Sequence, residues 1–186
     1  MPNWCFNRLE ISLHNESGKK LLEAFRDNHT DEEGKKFSRP FSDLMPTPQE
    51  LLDTDKVLGG EPEEQAKREI KYAQNREKYG HADWYDWRLA HWGCKWDACE
   101  ISIDHEDEKT ALVSFDTPWC PATELFAWYA KQNPDVIFLN EYDEEGCSFE
   151  GYDSMSPESG FKSDSWEPKE APWFSDLLDE IPDPQK

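Results

Sequence analysis

Leu9, Ile11 and Leu13 alternate with Glu10 and Ser12, a period of two that predicts a half-buried strand over residues 4–13. Asn15 stands where a helix cap belongs, and Leu21, Leu22 and Phe25 supply one apolar stripe to the helix that follows. Residues 30–62 are rich in Asp, Glu, Lys, Pro and Gly around a single apolar knot, "FSDLMPTPQELL", and predict an insertion over the surface. Residues 63–79 are strong helix formers with little apolar surface, so that helix is expected outside the core. "DWYDWRLAHW" predicts a short aromatic helix with Trp84, Trp87 and Arg88 near one face.

Alternation returns in Cys99, Ile101 and Ile103, then in Ala111, Val113 and Phe115 beyond an acidic turn at 104–108, which predicts a hairpin. Pro121 opens a helix whose Ala122, Leu125, Trp128 and Tyr129 share a side, and Pro134 closes it. "VIFLNEY" reads as a fourth strand, with a short partner at "CSFEGY". From Ser154 onward the chain is Ser, Pro and acid, without periodicity until "PWFSDLLDEI".

The order strand, helix, insertion, strand, strand, helix, strand predicts an α+β, ferredoxin-like split βαβ sheet of four antiparallel strands with helices on one face; an unrelated α+β meander is the alternative. A single domain is expected over 1–153, with its insertion at about 30–91, followed by an acidic tail over 154–186 that carries an amphipathic helix at about 172–181. On this topology Trp92 and Trp96 should meet Trp119 at one end of the sheet. Trp4 and Asn7 should approach Glu141 at the other end.

The segment "WGCKWDA" concentrates candidate chemistry. As an extended strand it would place Trp92, Cys94 and Trp96 on one side and Lys95 and Asp97 on the other, where burial demands a Lys95–Asp97 ion pair or a bulge near Ala98. The tryptophans are either packing or, with Lys95 and Arg88 at the rim, the lining of a pocket. The acids Glu141, Glu144, Glu145 and Glu150 around "NEYDEEG" read as a solvated turn or a charged contact surface; no glycine-spaced calcium loop accompanies them. Trp173, Phe174 and Leu177 begin an apolar stripe that docks on its own domain or enters a partner's groove.

Composition changes the picture chiefly through charge. Against 20 basic residues stand 41 acidic ones, for a net charge of −21, and residues 134–186 alone hold 15 acidic and 3 basic residues. Direct binding to DNA or RNA needs a basic footprint and is not expected. Nine tryptophans argue against a disordered chain. The five cysteines lie in or beside aromatic segments and read as reduced core thiols; Cys94 and Cys99, taken with His81, His91 and His105, lack the paired C-x-x-C spacing of a zinc site. Neither a secretory leader nor a membrane span is legible, which predicts a cytoplasmic protein. No phosphate loop, dinucleotide fingerprint or nucleophile elbow is present, so no catalytic residue and no cofactor is expected.

"MPNWCFNRLEI", "WGCKWDA", "FDTPWCP" and "NEYDEEGCSFEGY" together resemble the YubB-like ferredoxin-like domain family, small proteins of phages, prophages and plasmids. The resemblance covers residues 2–19 and about 84–152, and it departs from the usual pattern at Cys94 and Cys120, where small hydroxyl residues are more usual. It implies a fold and a mobile-element setting in a bacterial host, and it carries no catalytic residues. The expected function is therefore non-enzymatic binding of a host or phage protein. One form of it is acidic imitation of nucleic acid that blocks a basic host defence or DNA-handling protein. The alternative is a small-molecule or enzymatic role at the Trp92, Trp96 and Trp119 end.

Overall fold

A computed structural model describes residues 3–54, 61–146 and 148–167. The first alternating run forms strand β1 (Trp4–Ser12), which buries Cys5, Asn7, Leu9 and Ile11 and exposes Trp4, Phe6, Arg8 and Glu10. Asn15 caps helix α1 (Glu16–Ala24) by accepting the Gly18 amide on its side chain, as the sequence predicts.

The insertion supplies a short hairpin, β2 (His29–Thr30) and β3 (Lys36–Phe37), and helices α2 (Pro40–Leu44), α3 (Gln49–Leu52), α4 (Pro62–Tyr79) and α5 (Trp84–His91). Only Asn75 of α4 is buried, so that helix lies outside the core as its composition requires. The Asn75 amide ties it down by donating to Thr54 Oγ1 and Ala82 O. The chain then forms β4 (Cys99–Glu106), β5 (Thr110–Pro118), α6 (Thr123–Gln132), β6 (Phe138–Glu144), β7 (Phe149–Ser156) and β8 (Gly160–Trp166).

The large sheet runs β4-β5-β1-β6-β7-β8, antiparallel throughout. Its first four strands, with α1 and α6, are the expected ferredoxin-like arrangement. Two further strands extend it. The boundary expected at 153 falls inside β7, and residues 160–166, expected in a tail, form the sheet edge β8. The expected helix at 172–181 lies outside the described residues.

The core lies on the helix-bearing face. There Leu9, Ile11, Val113 and Phe115 of the sheet meet Leu21, Phe25, Phe41, Trp92, Leu125 and Phe126. The predicted separation of two aromatic ends is wrong. Because β1 is antiparallel to β5, its start pairs with the end of β5, Trp4 opposite Pro118, and the end of β6 arrives at the same place, Asp143 opposite Phe6. The segments that carry Trp4, Trp96 and Trp119 therefore converge on one end of the sheet.

Candidate functional site

The segment 92–98 is a clasp on the insertion rather than an extended strand. Asp97 accepts the Phe41 and Ser42 amides on its two carboxylate oxygens, at 2.9 and 3.0 Å, and so caps the N-terminus of α2. Trp92 is fully buried, and its Nε1 donates to Met45 O at the other end of the same helix, at 3.0 Å. Arg88 lies over the Trp92 ring at 4.4 Å and the Trp84 ring at 5.1 Å while Nε donates to Thr47 Oγ1. The expected Lys95–Asp97 ion pair is replaced by these bonds. Lys95 instead stacks over Trp96, its Nζ 3.8 Å from the ring centroid. Burial pushes the Asp97 carboxyl up, and the amides of Phe41, Ser42 and Ala98 pull it back. The bulge expected near Ala98 falls between Cys99 and Ser102, where Glu100 takes a positive φ of 49°.

Gly93 belongs to the same clasp. Its φ is +91°, and a Cβ there would lie 3.0 Å from Pro121 O, so a side chain would force the segment away from the start of α6. Cys5, Cys94, Cys99 and Cys120 form no disulfide, and burial raises all four thiols, which keeps them protonated and poorly nucleophilic.

With Trp92 in the core, the expected lining of Trp92, Trp96 and Trp119 does not assemble. What gathers at the surface is a different set. Trp4, Phe6, Trp96 and Trp119 are 43%, 44%, 39% and 44% exposed, and the Trp4 and Trp96 rings lie 6.5 Å apart. Trp119 is held with a φ of 74°, which only an imposed turn gives a bulky residue, and its amide donates to Asn3 O.

Register continues this patch across the face that, among the described residues, carries no helix. Asp116, Phe6, Asp143, Glu150 and Trp166 are successive partners on β5, β1, β6, β7 and β8. In the next row stand Ser114, Arg8, Glu141, Tyr152 and Asp164. Neighbouring strands lie about 4.8 Å apart, so each row is a continuous strip of side chains. A cleft of about 490 Å³ opens here, lined by Phe6, Arg8, Glu141, Asp143, Phe149 and Glu150 together with Tyr142, Glu144, Glu145 and Ser148.

The expected acids Glu141, Glu144, Glu145 and Glu150 thus come together, with one change of role. Glu144 is buried rather than displayed, and its Oε1 accepts the Gly146 amide at 3.2 Å. Burial raises the Asp143 carboxyl, and the charges of Glu145, Glu150 and Glu144 raise it further. Asp116 is raised by burial and then by Glu100 and Asp143, whereas Arg8 offsets the burial of Glu141. Sequence reasoning missed Phe6, Asp116 and Asp143, although each stands at outward parity in its strand. Among the described residues no group of three or more His, Cys, Asp or Glu side chains is placed to hold a metal ion. Trp173, Phe174 and Leu177 lie outside the described residues.

The opposite face carries a buried polar relay. Asn7 donates through Nδ2 to Cys5 O at 2.9 Å and Thr117 Oγ1 at 3.0 Å, and accepts the Asn140 amide on Oδ1 at 3.2 Å. Asp153 is the register partner of Asn140 and accepts the Thr123 hydroxyl on Oδ2 at 3.0 Å. Asn140 Oδ1 and Asp153 Oδ1 find no hydrogen-bond partner among the described residues. Burial, outweighing the Ser163 and Thr123 hydroxyls and the Asn140 amide, pushes the Asp153 carboxyl up to about 6.

Residues 96–176 match the family model described as "Ferredoxin-like domain in Api92-like protein". That stretch holds β4 through β8 and agrees with the fold. Among solved structures, a protein api92 from Yersinia pseudotuberculosis is similar over 93% of this chain and 100% of its own, at 15% identity and a TM-score of 0.45. No curated protein matches the chain. Among the described residues no helix is long and apolar enough to cross a membrane.

Proposed function

We propose that this protein is a non-enzymatic binding protein that presents the open face of its sheet to a basic surface of another protein. The observation that carries the reading is the row through Phe6, in which Asp116, Asp143 and Glu150 stand beside exposed aromatic rings and no basic residue. Exposed tryptophans flanked by charge are the composition of interface hot spots, and an uncovered apolar patch on a sheet is poorly used if nothing docks there. The sign of the charge selects the partner. A phosphate backbone would be repelled, whereas a lysine- or arginine-rich surface is steered in and held.

Imitation of nucleic acid is the specific form of this function. The carboxylates are mounted on strands, about 4.8 Å apart between neighbours and about 6.8 Å apart along one strand face, and so present a fixed array of negative charge rather than a flexible acidic loop. The resemblance to YubB-like proteins supplies the setting, a mobile-element protein acting on a basic nucleic-acid-handling protein of a bacterial host. The test is a pull-down from nuclease-treated host lysate at low and high salt. Retention of such a protein at low salt, its release at high salt, and its loss with Asp143→Lys/Glu150→Lys are the expected results. Retention that is indifferent to both salt and the double substitution sinks the reading.

A further inference from the structure

We propose that the open face is built to take an arginine side chain of a basic peptide segment, seated over the Phe6 ring between Asp116 and Asp143. This rests on the function proposed above and names the chemistry of its partner.

The geometry is set by register. Phe6 is paired with Asp116 on one side and Asp143 on the other, and Glu150 is the next partner beyond Asp143. Phe6 stands half exposed in the middle of a sheet. An aromatic face attracts a cation electrostatically, and carboxylates on both flanks leave that attraction unopposed. Asp116 and Asp143 are both raised by burial and by neighbouring carboxylates, so an entering positive charge relieves repulsion already present.

Three features favour arginine over lysine or a metal ion. A guanidinium is planar and weakly hydrated, so it can lie on the Phe6 ring while its edge donates to carboxylates on both sides. An ammonium gains its contacts as a point charge and stays strongly hydrated. The acids lie along a row and do not form a cation-holding group. Arg8 belongs to the neighbouring row opposite Glu141 and Ser114, so the Phe6 row itself presents carboxylates and no cation. Trp4, two residues along the same strand face, offers apolar contact to the residue beside the inserted arginine.

The experiment is calorimetric titration of the full chain with a short arginine-rich peptide, its lysine counterpart of equal length and charge, and spermidine. The arginine peptide is expected to bind about tenfold more tightly than the lysine peptide. Phe6→Leu, which keeps an apolar side chain, should remove that preference while the far-ultraviolet spectrum is unchanged. Asp143→Asn should weaken both peptides. Equal affinity for arginine and lysine peptides, tight spermidine binding, or an arginine preference that survives Phe6→Leu overturns the proposal. If both peptides stay unbound while the pull-down yields a partner lost on charge reversal, the arginine seat fails and the broader function stands. If both assays are empty, both fail.

Discussion

The two faces of the sheet are made from the same strands by the same alternation, yet they treat polarity in opposite ways. On the helix-covered face the polar side chains Asn7, Thr117 and Asn140 are buried and bonded to one another, and the buried Asp153 beside them is bonded to Thr123. On the open face the apolar side chains Trp4 and Phe6 are left half exposed, with Asp116 and Asp143 on either side of Phe6 and Glu150 one strand further on. Most buried polar groups find a partner within the fold. On the proposed reading, the exposed ring flanked by carboxylates takes its partner from another protein. Substitutions on the covered face should therefore move stability, and those on the open face should move binding.

The largest effect is expected at the clasp. Trp92→Ala removes a fully buried ring and the bond to Met45 O, and should destabilise the protein by about 4 kcal/mol in denaturant unfolding. Asp153→Asn should act next, with the opposite sign. The folded-state carboxyl titrates at about 6 against an ordinary 3.8, so folding favours its neutral form. That stabilisation is fully present below pH 3.8 and is lost as pH rises through about 6. The asparagine should thus be more stable than the wild type at pH 8, by up to ~3 kcal/mol, and should show no such advantage at pH 4. A pH series of thermal melts reads both arms; an advantage of equal size at both pH values would remove the carboxyl from the account. Asp97→Ala uncaps α2 and should cost about 2 kcal/mol, seen as a Tm lowered by several degrees. Phe6→Ser should cost least, about 1 kcal/mol, because about half of the ring is already exposed. A loss of several kcal/mol there would make Phe6 a structural residue and dissolve the contrast between the faces.

Much of this was legible in the sequence because the strong elements carry their own periodicity. β1 and β5 alternate, α1 has its Asn15 cap, and α4 lacks an apolar stripe. β8 was not legible. Its "FKSDSW" run is an exposed edge with no alternation to read, and its place is fixed by pairing with β7. The end at which Trp4 lies was misjudged although the expected antiparallel order already decides it, since a first strand antiparallel to β5 must start where β5 ends. Asn7 and Asn140 stood at inward parity between apolar neighbours, a signal that a buried polar pair was coming. Asp97 was expected beside Lys95, its nearest basic residue in sequence. It caps α2 instead, a contact across 56 positions of the chain that no local pattern encodes.

The central claim is that the open face, and not acidity at large, makes the contact. Carboxyl-group labelling of the protein alone and in complex with its captured partner, read by mass spectrometry, tests that most directly. Protection of Asp116, Asp143 and Glu150, with Glu63 and Glu64 at the exposed start of α4 still reactive, is the predicted result. Protection at α4 with Asp143 and Glu150 unchanged would contradict it.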